Sequence, residues 1–499
     1  MIRPLANFSL NLLEVAQLVS AENLETDRTA LKGIEITGVV HSDSDVLPGD
    51  IFLAIPGAKV HGAEFIASAV ARGAVAVLTD SAGAVRFKDV PTLVVNDVRH
   101  AGAVIASSLY KDPTRDLGAI GITGTNGKTT VSTLLYQLFE AAGRATGLIG
   151  TVDTRIAAEV LKSARTTPEA PELQSIAAVM RERHMRHLVM EVSSHALSLN
   201  RVKASHFAIV GFTNLSQDHL DFHQDMESYF QAKAKLFCFE YADLGFINID
   251  NEYGARLAAQ SEIPFVSLSR SDTSAQWHFT RIHQASSAIE LSIRGTGGIL
   301  IESKTQLLGR YNLDNLLMAV AIAHESGIDP IEIAALIPAL TGAPGRLDQV
   351  SLGQKFTALV DFAHSPDAVS NVLSAAREFT AGKIIAVLGC GGDRDTSKRS
   401  LMGEALVSGS DIAIFTSDNP RNENPAEILR QMTSSVTVES PSKTIEDRTA
   451  AISYAVNLAN DGDTVLILGK GHEGGQEIAG VVTPFDDRIK LALAIEAKK

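Results

Sequence analysis

Residues Gly121-Ile-Thr-Gly-Thr-Asn-Gly-Lys-Thr-Thr130 constrain the fold more than any other stretch of the chain. Upstream, Leu117-Gly-Ala-Ile-Gly-Ile-Thr123 is a short apolar run that predicts a buried strand. Downstream, Val131, Leu134, Leu135, Leu138, Phe139 and Ala142 recur at helical spacing until Gly143 ends the run. A strand, a glycine-rich turn and a helix that opens on Lys-Thr make a phosphate cradle. Glycines let the backbone turn tightly, so that successive N–H groups and the helix N-terminus face an anion. Lys128 would then reach the terminal phosphates, and the Thr129 hydroxyl would meet a magnesium ion. The general pattern G-x-x-x-x-G-K-[ST] wants glycine at 122, where this chain has Ile122 with glycines at 121 and 124. An ordinary glycine-rich turn is the alternative; the flanking strand and helix favour nucleotide binding.

At 499 residues the chain is too long for one core and points to about three domains. Lys and Arg total 44 against 58 Asp and Glu, a net charge of −14, which argues against a nucleic-acid surface. A locally basic cleft for an anionic small molecule remains compatible with that balance. Two cysteines, Cys238 and Cys390, offer neither a disulfide framework nor a zinc cluster and fit a reducing compartment. The first apolar positions are interrupted by Asn7, Asn11 and Glu14, so no targeting peptide is expected, and no apolar run reaches membrane-spanning length. The expectation is a cytoplasmic protein that inserts in no membrane.

Residues 1–115 alternate short apolar runs (Ile51–Ile55, Ala74–Leu78, Thr92–Val95) with helical stretches, and Pro48-Gly49-Asp50 and Pro56-Gly57 mark turns. They predict a small N-terminal α/β domain, with Asp112–Asp116 as its exit linker. Residues 116–345 continue from the phosphate loop as strand-helix alternation, with strands at His187–Val192, Phe207–Phe212 and Leu244–Ile249. This is the pattern of a central parallel-sheet, P-loop ATPase domain. A β-rich insert at about 265–303 carries the only tryptophan, Trp277, expected to serve packing. Residues 346–499 form a third, Rossmann-like α/β set, with strands at Phe356–Phe362, Lys383–Leu388, Ile412–Thr416 and Thr464–Leu468. In such sheets ligands gather at the carboxyl ends of the strands, so chemistry is sought in the polar tails that follow them.

Glu191, in Glu-Val-Ser-Ser-His195, ends a strand, where a carboxylate can hold a nucleotide's magnesium or simply face solvent. His219, in the run Asn214–His223, is either a ligand of a second divalent ion or a solvated loop histidine. Lys233 has the spacing of an exposed helix lysine; beside a metal pair its carbamate would be an anionic oxygen ligand. Pro344-Gly-Arg346 and Val360-Asp-Phe-Ala-His-Ser-Pro366 place an arginine at a boundary and Asp361 at a strand end, suited to a phosphate and a ribose or to a structural hinge. Gly389–Asp395 fails the dinucleotide spacing because Arg394 stands where a third glycine belongs. Arg394, Asp418-Asn-Pro-Arg421 and Gly469-Lys-Gly-His-Glu473 together could surround a zwitterionic ligand with two guanidiniums and a carboxylate.

In order along nearly the whole chain, these segments resemble the Mur ligase family of ATP-dependent amide-forming enzymes. The resemblance rests on Gly124–Thr130, Thr166-Thr-Pro168, Glu191–His195, Asp218–His223, Asn312 with Asn315, Pro344–Arg346, Asp361–Asp367, Asp418–Arg421 and Gly469–Glu473. It implies an enzyme of peptidoglycan precursor synthesis, probing three small molecules: ATP, a UDP-muramoyl-dipeptide and a diamino acid. It implies two Mg2+ ions, a monomer, and a UDP-holding first domain, ATP-binding second and amino-acid-binding third. Lys128, Glu191, His219 and Lys233 would be catalytic, with Thr129 and Glu191 on one metal and His219 and a carbamylated Lys233 on the other. Gly124, Thr125, Asn126, Gly127, Lys128, Thr129, Thr130, Asn312, Asn315, Arg346 and Asp361 would bind ATP. Ser42, Thr166, Thr167, Ser193 and Arg201 would hold the UDP-muramoyl-dipeptide. Arg394, Asp418, Asn419, Pro420, Arg421, Gly469 and Glu473 would hold the amino acid. Asp-Asn-Pro-Arg in this family accompanies meso-diaminopimelate, whose second carboxylate Arg421 would pair; lysine would bring an ammonium there instead.

The first domain departs from the family's Asp-Ser-Arg, reading His41-Ser-Asp-Ser-Asp45 before Pro48-Gly-Asp50. The rival expectations are the same ligase adding L-lysine, a folylpolyglutamate synthetase of the same fold, and a catalytically silent nucleotide-binding scaffold. The sizeable N-terminal domain and Asp418–Arg421 argue against the second. Lys128, Glu191, His219, Lys233 and Arg421, all present, argue against the third.

Overall fold

The computed structural model describes residues 1–22, 31–57, 60–84, 90–284 and 288–499. The chain divides into two compact units, one of Met1–Thr305 with Asp314–Leu340, the other of Gln306–Leu313 with Thr341–Lys499.

In the first unit, the strands Gly38–Val40, Asp50–Leu53, Ala76–Thr79 and Thr92–Val94 pair in sequence order, all parallel. The helix Val98–Leu109, capped by the Asp97 carboxylate on the His100 N–H, lays Val98, Ala101, Ile105 and Leu109 into their core. Asp112–Asp116, expected as a linker, instead makes one helical turn, Pro113–Asp116, with Pro113 and Thr114 buried. Proline there fixes φ for a first turn and gives up no needed N–H.

The same unit carries an eleven-stranded sheet. Its parallel centre runs Thr146–Ile149, His187–Glu191, Ile120–Thr123, Phe207–Phe212, Ala242–Asn248 and Phe265–Ser269. That centre is the expected parallel sheet, and antiparallel strands extend it at both edges. Asp153–Ile156 and Glu159–Lys162 add antiparallel strands at one edge. Trp277–Gln284, Ile289–Arg294 and Leu300–Thr305 make an antiparallel meander at the other. The short hairpin connections within these edges allow only antiparallel neighbours, while Trp277–Gln284 itself joins Phe265–Ser269 in parallel. Trp277 is fully buried and packs against His324, in line with its packing role.

The phosphate strand Ile120–Thr123 lies between two strands that both come later in sequence, His187–Glu191 and Phe207–Phe212. That reversal of order opens a crevice beyond the strand ends. The helix Lys128–Ala141 follows, burying Val131, Leu134, Leu135, Leu138 and Phe139.

The second unit holds a six-stranded sheet in the order Asp348–Gln349, Thr357–Asp361, Thr464–Leu468, Ile384–Leu388, Ile412–Phe415, Lys443–Thr444, parallel except at Asp348–Gln349. Apolar clusters cover both faces, one led by Leu359, Leu373 and Leu406, the other by Val360, Ile452 and Leu491. This is why its strands read as continuous Val, Ile and Leu runs. Among the described residues no helix is long and apolar enough to cross a membrane.

Candidate active site

The phosphate loop is built on two glycines with positive φ, Gly124 at 146° and Gly127 at 88°. A Cβ on Gly124 would fall 1.9 Å from Thr213 Oγ1, and one on Gly127 would fall 2.3 Å from Asn315 Oδ1. Ile122 is fully buried within the strand. The turn is braced from the neighbouring strand's tail: the Thr125 N–H donates to Asn214 O at 2.9 Å, the Asn126 N–H to Asn214 Oδ1 at 3.0 Å, and Thr213 Oγ1 to Asn126 O at 2.6 Å. Thr130 is buried in the first helical turn.

Lys128 Nζ donates to Gly124 O at 2.9 Å and to Thr125 O at 2.8 Å. Lys233 Nζ donates to the same Gly124 oxygen at 2.7 Å and stands 4.7 Å over the Tyr229 ring. Lys233 is 1% exposed, not the exposed helix lysine its spacing allowed. Burial, reinforced by the Lys128 charge, holds its pKa well below that of an ordinary lysine. The His219 ring meets the same Tyr229 ring edge-on, centroids 6.1 Å apart. His219 is about half exposed, and its Nε2 lies 3.6 Å from Asp218 Oδ2. His219 and Lys233 thus flank one tyrosine. Among the described residues no group of three His, Cys, Asp or Glu side chains converges as a ready-made metal site.

Glu191 is buried at its strand tip, and one run of hydrogen bonds passes through it. Thr129 Oγ1 donates to Glu191 Oε2 at 2.9 Å; the Thr151 N–H donates to Oε1 at 2.6 Å and its hydroxyl to Oε2 at 3.0 Å. Thr151 Oγ1 lies 3.1 Å from Thr166 Oγ1. Thr167 Oγ1 donates to Glu191 O at 2.9 Å and accepts from the Ser193 N–H at 3.1 Å. Ser193 Oγ in turn caps the helix Ser194–Ser198. A hydroxyl and a carboxylate at a helix N-terminus are hard oxygen donors, a set that fits magnesium.

Beside this run Arg201 Nε lies 3.0 Å from Glu169 Oε1, and Arg201 Nη1 donates to Thr167 O at 3.4 Å. Arg99, from the helix Val98–Leu109, pairs with the other Glu169 oxygen. Burial alone would raise the Glu169 pKa; Arg201 and Arg99 outweigh it and hold the carboxyl below its usual range. His41 sits in the field of Glu169, Arg165 and Arg99, and burial pushes its pKa down. The Ser42 and Ser44 hydroxyls are paired at 2.7 Å.

In the second unit, Asp361 caps its own strand end: Oδ2 accepts from the Leu347 N–H at 2.8 Å and Oδ1 from the Ala363 N–H at 2.9 Å. Burial pushes its pKa up against the pull of Arg346, whose guanidinium lies 5.1 Å over the Phe362 ring. Asn312 Nδ2 donates to Leu308 O at 2.8 Å.

Around the tips of Thr464–Leu468, Ile384–Leu388 and Ile412–Phe415, Asn419 Nδ2 donates to Glu473 Oε2 at 2.7 Å. Lys470, fully buried, donates to Asn419 Oδ1 at 3.0 Å and to Glu473 Oε2 at 3.1 Å. The Asp418 carboxyl is buried with its pKa pushed up by desolvation, against Arg448 and Lys470. Its Oδ2 would lie 2.6 Å from a Cβ on Gly469, whose φ is 110°. Pro420 is buried, and its carbonyl would meet a Cβ on Gly392 at 1.9 Å. Arg421, at φ 52°, donates from Nη1 to Gly392 O at 2.7 Å; its Nε lies 3.5 Å from Glu477 Oε2. Arg394 is exposed, and its side chain borders Gly391 together with that of Arg421.

Three family models match successive parts of the chain: the Mur ligase family catalytic domain over residues 35–110, the Mur ligase middle domain over 122–323, and the Mur ligase glutamate ligase domain over 345–471. The UDP-N-acetylmuramoyl-L-alanyl-D-glutamate–2,6-diaminopimelate ligase of Streptomyces coelicolor is 49% identical over 93% of this chain and 93% of its own. The chain belongs to the Mur ligase family. The UDP-N-acetylmuramyl-tripeptide synthetase of Leifsonia xyli is 38% identical to this Mur ligase, over 96% of this chain and 95% of its own. A solved UDP-N-acetylmuramoyl-L-alanyl-D-glutamate–2,6-diaminopimelate ligase is similar at a TM-score of 0.71 and 29% identity, covering 98% and 99% of the two chains. The three-domain α/β architecture is that of the family.

The residues singled out in the sequence of this Mur ligase fall into three groups. Thr129, Glu191, Thr166, Thr167, Ser193 and Arg201 share one hydrogen-bonded neighbourhood in the first unit, where Lys128 and Lys233 meet at Gly124 O and Asn315 abuts Gly127. Asn312, Arg346 and Asp361 lie in the second unit, as do Asn419, Arg421 and Glu473. Sequence reasoning passed over Arg99, Thr151, Glu169 and Lys470. Lys470 lay inside a motif already quoted. Glu169 directly follows Thr-Thr-Pro, and a carboxylate there was the available signal.

Proposed function

We propose that this Mur ligase joins meso-2,6-diaminopimelate to UDP-N-acetylmuramoyl-L-alanyl-D-glutamate at the expense of ATP, in peptidoglycan precursor synthesis. The terminal γ-carboxylate of the dipeptide attacks the γ-phosphorus of ATP; ADP leaves and an acyl phosphate forms. An amino group of diaminopimelate then attacks the acyl carbon, inorganic phosphate leaves with the C–O bond electrons, and the amine loses a proton. The observation that carries this reading is the frame in which Asn419 donates to Glu473 and Arg421 to Gly392 O; the N–H groups and carboxylate oxygen left over would meet the amino acid. The 49% identity with the Streptomyces diaminopimelate ligase supports the same reading.

Two anions must approach in the first step. Lys128 at the head of its helix, with the loop N–H groups, stabilises the charge on the transferring phosphoryl group. Magnesium bound by Thr129 and Glu191, with a second ion at His219 and Lys233, would supply further charge stabilisation at the phosphates. Lys233 takes that part as a carbamate: its neutral amine adds to carbon dioxide and releases one proton. The depressed pKa of Lys233 supports this, because the neutral amine is the reacting form. Arg201, held by Glu169, and the Thr166, Thr167 and Ser193 hydroxyls would orient the UDP-linked substrate, with Ser42 on its UDP end. Asn312, Asn315, Arg346 and Asp361 would hold the nucleotide. Residues 1–115, 116–345 and 346–499 would act as the UDP-substrate, ATP and amino-acid domains of a cytoplasmic monomer.

The test is phosphate release with ATP, UDP-muramoyl-dipeptide and either meso-diaminopimelate or L-lysine. Faster turnover with meso-diaminopimelate is expected. Faster turnover with lysine sinks the amino-acid assignment, and no release with either sinks the ligase reading.

A further inference from the structure

The Asn419 amide has a fixed orientation, and the group that fixes it is Lys470. Asn419 Oδ1 accepts from Lys470 Nζ at 3.0 Å and from the Glu477 N–H at 3.0 Å, which uses both of its lone pairs. A flipped amide would face an ammonium and a backbone N–H with its own NH2, donor against donor. The flip is thereby forbidden on chemical grounds. Nδ2 has two N–H groups, and one is given to Glu473 Oε2 at 2.7 Å. What Asn419 has left is a single N–H, so it can only donate to a ligand.

Lys470 acts on the pocket's carboxylate as well. Its ammonium, fully buried, lies 3.1 Å from Glu473 Oε2 and 3.7 Å from Asp418 Oδ1, whereas the Glu473 side chain is about a third exposed. One cation thus anchors one Glu473 oxygen and leaves the rest of that carboxylate open. The proposed site then has a donor from Asn419, the Arg421 guanidinium and an acceptor from Glu473.

We propose that Lys470 is the positioning residue for amino-acid selection: by locking the Asn419 amide and the Glu473 carboxylate it makes the pocket complementary to a centre bearing both a carboxylate and an ammonium. This rests on the proposed amino-acid site. A diaminopimelate terminus has both groups. The lysine terminus has only the ammonium and brings no carboxylate to the remaining Asn419 N–H and the Arg421 guanidinium, which is the arrangement that discriminates strongly. Lys470 need not touch the ligand to do this.

The test uses the full-length protein and steady-state phosphate release, with KM determined separately for meso-diaminopimelate, ATP and UDP-muramoyl-dipeptide. Lys470→Met is expected to raise KM for meso-diaminopimelate by about tenfold or more. The other two KM values stay within about twofold, and the preference for diaminopimelate over lysine falls. A merely structural lysine would lower kcat or the melting temperature without singling out one substrate. A folded Lys470→Met with unchanged KM and preference overturns the proposal. If Lys470→Met does not fold, Lys470→Gln decides: it keeps a donor for Asn419 Oδ1 but removes the charge that anchors Glu473. Loss of the diaminopimelate preference supports the proposal, and retention of the wild-type preference overturns it. Wild-type protein inactive with meso-diaminopimelate would instead overturn the underlying site assignment.

Discussion

Replacing Asp487 by Asn isolates one buried charge. Asp487 and Arg448 are both fully buried, and their side chains meet by two hydrogen bonds, Nε to Oδ1 at 2.8 Å and Nη2 to Oδ2 at 2.6 Å. Arg448 also donates to Leu468 O at 2.9 Å, at the tip of the strand that leads into Gly469–Glu473. Burial pulls the Arg448 pKa down, but Asp487 more than reverses that. Asp487→Asn keeps the shape and removes the negative charge, leaving a guanidinium in the core. Removing one partner of such a pair costs about 3–5 kcal/mol. For a unit of this size, that is a drop of roughly 6–20 °C in the transition of the second unit. Calorimetry of the full-length protein reads it. The double variant Arg448→Met/Asp487→Leu, which leaves no charge unpaired, recovers most of the loss. A fall of under about 2 °C for Asp487→Asn, or a double variant as damaged as the single one, refutes the reasoning.

Lys233→Ala abolishes phosphate release, and bicarbonate has nothing to act on there; a short-chain carboxylic acid that fills the space restores part of it. Failure of every such acid counts against the carbamate. In buffer free of carbon dioxide, where Lys233 is the free amine, its folded-state pKa is depressed and the unfolded chain binds the extra proton between that value and the ordinary lysine range. Stability from this group therefore rises with pH across that window, and denaturant titrations of Lys233→Met show a smaller rise. Gly127→Ala forces a left-handed backbone and a 2.3 Å approach to Asn315, so nucleotide affinity measured by calorimetry falls sharply. Gly143→Ala, at φ 69° with nothing within 4 Å of its Cβ, costs only the backbone term of about 1–2 kcal/mol and leaves nucleotide affinity alone.

Most strands of this fold were legible because they are buried on both faces and write themselves as apolar runs. Phe207–Phe212 and Thr464–Leu468 have the bounds their composition predicts. The polar tails after them drew attention to Glu191, Asp418 and Gly469 for the same reason. The antiparallel edges were harder to read, since Asp153–Ile156 is partly and Glu159–Lys162 mostly exposed, and their polar residues resemble loop. Buried charges were the least legible. Arg99 and Glu169 are 70 positions apart, and Arg448 and Asp487 are 39 apart. Periodicity along one element carries no information about a partner on another. The burial of Lys233 was hidden likewise: its cover comes from Tyr229 on its own helix and Gly124 on a distant loop.

The fully buried Ile122 makes the phosphate loop part of the sheet's foundations. Converting the chain to the general letter pattern by Ile122→Gly would excavate the middle of the central sheet, at a cost of several kcal/mol from the lost side chain alone. What the cradle requires is two left-handed hinges three residues apart, at Gly124 and Gly127, immediately ahead of the lysine. A designer grafting this loop onto another scaffold must therefore transplant the buried strand end, Ile122 and Thr123, along with the turn. The transferable unit is a set of backbone angles anchored in a core, and a string of letters beginning with glycine does not describe it.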